Sequence, residues 1–296
     1  MSTPIAAAAV AAQAPTAARR GRVGREKTNW TATILLILAA VTVLVPLYVT
    51  VMMAFKTAQQ STDLNAFSLP SPWSVSGFVE AWSLTNFPRA FLVSLIVTLV
   101  AVAGAILVSS MAAYAIVRNW DRKVFKYSFY YLLAAMFIPF PVVALPQVRL
   151  TGLLGLDNYA GVAILHIVFG LAFNTLLFST FLRSIPLELE ESMRMDGAST
   201  WQTFWKLIFP LLSPMAATVG IFAFLGSWND FMMPSLIISQ PEWQTIPVVN
   251  SIFQTQFSNN YNVSFASYLM AMAPAIVVYM FAQRWVMSGL TQGAIK

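Results

Sequence analysis

Long stretches free of charge alternate with short charged ones along this chain. Residues 30–55, 90–117, 127–148, 158–182, 207–229 and 243–283 contain no Asp, Glu, Lys or Arg. Hydrocarbon about 30 Å thick is crossed by roughly 20 apolar residues rising about 1.5 Å each, so every run can supply one membrane-spanning helix. The apolar runs are continuous, not alternating, which favours helices that satisfy their own backbone over a barrel. The pattern predicts an all-α polytopic membrane protein with six transmembrane helices, over about 31–55, 90–117, 127–148, 159–182, 211–238 and 264–287. The run from 243 is longer than one span, but 243–262 is rich in Gln, Asn and Ser, so only its later part is expected to cross. Pro46 predicts a kink in the first helix. Pro139, Pro141 and Pro146 predict broken geometry in the third, which is tolerated at membrane depth only where protein or a cavity covers it. Gly104, Ser109, Ser110 and Ala112 give the second helix small faces for close packing.

Composition agrees: 58% of residues are hydrophobic and the mean hydropathy is +0.70, above the roughly 45–50% of average soluble chains. The net charge of +6 is unevenly placed. With the N-terminus inside, fourteen of the 17 Lys and Arg fall in inner segments, and only Lys56, Arg89 and Arg149 in outer ones. The positive-inside rule then puts both termini in the cytoplasm, and no nucleic-acid partner is needed to explain the basic balance. There is no cysteine, which excludes disulfides and thiolate metal sites. Residues 1–28 read as a disordered basic cytoplasmic tail. Its basic cluster follows the apolar part, the reverse of a signal peptide. Residues 29–296 form the transmembrane domain.

The most distinctive segment is 183–210. Seven ionisable residues fall between Arg183 and Lys206 in a chain that is 9% charged. Two short helices are predicted. The first starts near Ser184 and Pro186 and carries Glu188, Glu190 and Glu191 near its N-terminus, where negative charge complements the helix dipole. Gly197 ends it through a positive φ. The second opens on a capping box, Ser199 with Gln202 three residues on. Trp201, Phe204, Trp205 and Ile208 follow at helical spacing as one apolar face, and Pro210 closes it. A hairpin lying on lipid headgroups explains the second helix. Three glutamates on the first would be repelled by an anionic leaflet, whereas a protein partner accounts for both.

This segment resembles the cytoplasmic loop of binding-protein-dependent ABC importer permeases: Glu-Ala-Ala, three residues, Gly, nine residues, Ile-x-Leu-Pro. Glu191, Gly197 and Pro210 match at the family spacing. Ser192 and Met193 stand in place of the two alanines, with Leu207 and Phe209 in place of Ile and Leu. Ala113-Tyr-Ala-Ile-Val-Arg118, Gly155-Leu-Asp-Asn158 and Ala282-Gln-Arg-Trp-Val-Met-Ser-Gly289-Leu-Thr-Gln-Gly293 resemble the carbohydrate branch, the MalG-like permeases. The resemblance implies a type I ABC importer permease fold in a prokaryotic plasma (inner) membrane. It implies ATPase coupling through Glu188, Glu190, Glu191, Arg194, Asp196, Gly197 and Pro210. The implied partners are a second permease, two ATPase subunits that bind ATP and Mg, and an extracytoplasmic sugar-binding protein.

No Gly-x-x-x-x-Gly-Lys-Ser/Thr occurs, so a phosphate-cradling loop of that type is absent and ATP hydrolysis is expected of another chain. No cofactor, metal site or catalytic set is expected. The lone His166, in an apolar helix, reads as a packed or hydrogen-bonded residue. Asp230 is the one acidic residue in a predicted span, roughly 24 Å along its helix at about 1.5 Å per residue. Intramembrane charge is functional by default, so Asp230, Asn229 and Asn174 are candidate pathway residues; structural pairing is the competing role. The rival from another class is an ion-coupled secondary transporter, which needs coupling sites, usually in paired repeats. Only Asp230 is available for one, and no repeat is visible.

Overall fold

The computed structural model describes residues 29–255 and 260–294; the expected 1–28 tail lies outside them. The chain divides into two units, one ending at Pro46 and the other covering Leu47–Lys296. Helix α1 (Trp30–Ala54) contains Pro46 without ending there. Two short helices follow, α2 (Ala58–Asp63) and α3 (Ser76–Leu84). Between α1 and α2, the buried Lys56 ammonium donates to the Asn65 carbonyl at 2.7 Å, and burial pulls its pKa below the ordinary value.

The body of the second unit is α4 (Phe87–Arg118), packed along α7 (Tyr159–Leu182). The close approach needs Gly104, where an added methyl group would run into Ile167. Between them lie α5 (Lys123–Ala135) and α6 (Phe140–Leu153), bent by 104°. The predicted third segment, 127–148, is thus broken, as its prolines lead one to expect. The break falls at Met136–Pro139, because a residue before proline avoids helical angles and Pro139 itself takes extended ones, φ −72° and ψ 142°. Pro141 then sits in the first turn of α6, where its missing N–H costs nothing.

After α7 comes the 183–210 segment, with α8 (Glu188–Met195) and α9 (Thr200–Thr203). The helix continues from α9 through a π turn at Phe204–Ile208 into α10 (Phe209–Leu211). A 74° bend then leads into α11 (Ser213–Trp228). The predicted fifth helix, 211–238, is therefore corrected: it is cut at Asn229–Phe231 and resumes as α12 (Met232–Ile237). Two side chains make the cut. The Asn229 amide donates back to the Leu225 carbonyl, and Asp230 Oδ1 accepts the N–H groups of Met232 and Met233 at 3.0 and 3.4 Å. Asn and Asp compete with helical hydrogen bonds in this way. Two short helices, α13 (Ile246–Asn250) and α14 (Ile252–Thr255), precede α15 (Tyr261–Ala294). Among the described residues, four helices are long and apolar enough to span a membrane, and up to six spans result if each bent pair is one.

Candidate functional site

Two neighbouring regions hold the predicted residues. The first is the loop. Its local fold follows the sequence closely. Ser199 Oγ accepts the Gln202 N–H at 3.3 Å while Gln202 Oε1 accepts the Ser199 N–H at 2.9 Å, completing the capping box. Gly197 has φ +81°. Around it Ala198 N donates to Met193 O and Gly197 N to Arg194 O, both at 3.0 Å, which is the Schellman arrangement. Along the predicted apolar face Phe204 and Ile208 are buried, while Trp201, 62% exposed, packs against Phe204 and Trp205 with ring centroids 6.3 and 5.6 Å away.

The acidic helix is two-sided. Glu188, Glu191 and Asp196 are exposed, Arg194 is half exposed, and Pro210 is exposed at the other end of the loop. Glu190, one of the residues the resemblance implies for ATPase coupling, is fully buried against this chain's own framework. Its Oε1 accepts from Arg118 Nε at 2.6 Å and its Oε2 from the Tyr114 hydroxyl at 3.0 Å. Arg118 also donates to the Ile185 carbonyl at 3.3 Å, and Arg194 stands 4.0 Å from Glu190. A buried carboxylate needs such partners, since unpaired burial of a charge is prohibitive. Tyr114 and Arg118 are four residues apart on α4, so they share a face. That spacing was the available signal for the clamp, but a partner 72 residues away cannot be read from it. Below the clamp a single apolar cluster joins Ala105, Ala113, Phe178, Leu182, Phe204, Ile208, Leu212 and Val219. The loop is thereby packed to α4, α7 and α11 together.

The second region is a cavity of about 300 Å³ bounded by those same three helices and the α11–α12 break. Asn174 and Asp230 both line it. Asn229, one residue earlier, lines a different cavity with Asn250 and Tyr268, so the predicted trio divides. His166 joins the first cavity, with Nε2 3.5 Å from Asp230 Oδ2. The pair lies at ion-pair distance without hydrogen-bond geometry, and His166 Nε2 makes no hydrogen bond among the described residues. His166, expected to be packed or hydrogen-bonded, is largely buried with its side chain 14% exposed, and its neighbour Asp230 stands at the helix break. Phe169, Phe173, Phe222 and Ser227 complete the walls that matter chemically. No group of three or more His, Cys, Asp or Glu among the described residues could hold a metal.

The chain is similar to known proteins over most of its length. A multiple sugar-binding transport system permease protein, MsmG of Streptococcus mutans, is 32% identical over 267 residues, covering 89% of this chain and 95% of that one. The melibiose/raffinose/stachyose import permease protein MelC of Bacillus subtilis is 30% identical over 93% of this chain and 99% of its own. In structure, the chain matches one from a bacterial ABC transporter involved in the import of alginate, with a TM-score of 0.74 over 92% of this chain and 99% of that one. Identity there is 24%, so this likeness speaks to the fold alone. A helical chain with several apolar spans, the glycine-hinged loop, and a family match over residues 105–292 lead to one conclusion: this protein belongs to the binding-protein-dependent transport system inner membrane components.

Proposed function

We propose that this chain is a permease subunit of an ATP-driven sugar importer. It forms the translocation pathway with a second permease and has no catalytic chemistry of its own. Two ATPase subunits supply ATP and Mg binding, and an extracytoplasmic binding protein delivers the sugar. Both termini and the 183–210 loop face the cytoplasm, a placement that the distribution of basic residues supports. The exposed side of α8, with Glu188, Glu191 and Asp196, meets the ATPase. Motion of that contact reaches the Asn174–Asp230 cavity through the cluster that fixes the loop to α4, α7 and α11.

The observation that carries this reading is near full-length likeness to permeases named for sugar import. The contiguity of loop and cavity supports it. An ion-coupled transporter would require coupling-ion sites, and among the described residues the His166–Asp230 pair is the candidate. Reconstitution with the second permease and the ATPases tests the choice. Sugar uptake should require ATP, and hydrolysis should rise with loaded binding protein. Sustained uptake by the purified chain under an ion gradient alone would overturn the proposal.

A further inference from the structure

We infer that the cavity between α4, α7 and α11 selects neutral saccharides and turns away acidic ones, with Asp230 as the discriminating residue. The inference rests on the sugar-import reading above and narrows its substrate class.

The walls fit a neutral sugar. Phe169, Phe173 and Phe222 offer apolar aromatic surface, with Phe173 and Phe222 edge to face at 6.1 Å. Asn174, Ser227 and the unbonded Nε2 of His166 offer a few placed polar groups against hydroxyls. Apolar walls with a few convergent polar atoms are how small-molecule sites combine affinity with orientation, and about 300 Å³ is the lower end of their usual volume.

The same walls do not fit a carboxylate-bearing sugar. No Lys or Arg lines the cavity. The one acidic side chain in the lining is Asp230, whose Oδ1 is held by Met232 and Met233 while Oδ2 faces His166. With His166 neutral the site carries one negative charge. With His166 protonated the pair cancels and still offers no net positive charge. Recognition of carboxylates relies on bidentate or charge-assisted donors, and this cavity has none to spare. A cavity of this volume is about 8 Å across, a separation at which like charges in a medium of effective dielectric ~20 repel strongly enough to suppress entry about tenfold or more.

The cysteine-free chain allows a direct test. Ala223→Cys places a thiol in the cavity wall. In the assembled importer, its labelling rates by an anionic and a neutral methanethiosulfonate are compared, each normalised to a free thiol. The anionic reagent should lag by about tenfold. Asp230→Asn should abolish the lag, because asparagine keeps the oxygen that accepts the Met232 and Met233 N–H groups and loses only the charge. Melibiose should slow labelling and digalacturonate should not. Equal normalised rates for the two reagents, or protection by digalacturonate, would overturn the inference while leaving sugar import intact. Failure of the importer to take up any sugar would instead remove the function on which the inference rests.

Discussion

Replacing Glu190 with leucine should release α8 from α4. The carboxylate receives a 2.6 Å bond from Arg118 and a 3.0 Å bond from Tyr114, and it is fully buried. Hydrogen bonds to a charged group are worth about 1.5–3 kcal/mol each. Removing one partner of a buried pair costs about 3–5 kcal/mol in total, because the other charge is stranded. Arg118 is 14% exposed and keeps the Ile185 carbonyl, so the low end, about 3 kcal/mol, applies. That corresponds to roughly a hundredfold increase in the open population of the loop. Hydrogen exchange reads this directly, since amides that exchange by local opening speed up in proportion. Amides of α8 should exchange about a hundredfold faster in Glu190→Leu than in the unsubstituted permease. The double variant Arg118→Met/Glu190→Leu should recover most of the protection, because a buried pair replaced by apolar side chains is often neutral. Unchanged α8 exchange in Glu190→Leu, or a double variant as unprotected as the single, would refute the clamp.

The exposed side of the same helix should behave differently. Glu191→Lys should lower transport and ATPase coupling without changing the melting temperature, because Glu191 is exposed; a drop in melting temperature would contradict an outward role. Gly197→Val meets no neighbouring atom but holds φ at +81°, so strain of about 1–3 kcal/mol should impair the interhelix turn and uptake while membrane insertion stays intact. Gly104→Leu should lower the yield of folded protein by colliding with Ile167, and Ile167→Ala should rescue it. Cysteines at Asn229 and Asp230 should both react with an impermeant reagent from outside, and a ligand that protects one should leave the other's rate unchanged, because the two side chains line separate cavities.

Much of this was legible in the sequence because the signals are local. The charge-free runs mark the spans, and the fourth was bounded at Tyr159–Leu182, as found. Ser199 with Gln202, and Gly197 before Ala198, specify their turns through bonds a few residues long. The break in the fifth helix was not foreseen. Asn229 and Asp230 were read as polar residues inside a span, although Asn and Asp are strong cap formers. The hydrophobic run on both sides masked the cap. The burial of Glu190 is hidden from the sequence for a different reason. Position in an acidic helix predicts exposure, and only the tertiary fold supplies the Arg118 and Tyr114 that make burial tolerable. His166 was underread in the same way, since its neighbour Asp230 lies 64 positions on and reaches it only through the break.

The two-sidedness of α8 bears on how such machines diversify. Its inward residue, Glu190, is committed to this chain's own framework, whereas Glu188, Glu191 and Met195 are exposed, Met195 by 88%. Ser192, at one of the family's alanine positions, is exposed and satisfies its hydroxyl on the Glu188 carbonyl at 2.7 Å. Changes on that outer surface therefore leave the permease's own folding untouched. A compatible motor subunit could be exchanged, or an incompatible one excluded, by rewriting a handful of codons in about two turns of helix, with the conduit itself left as it is.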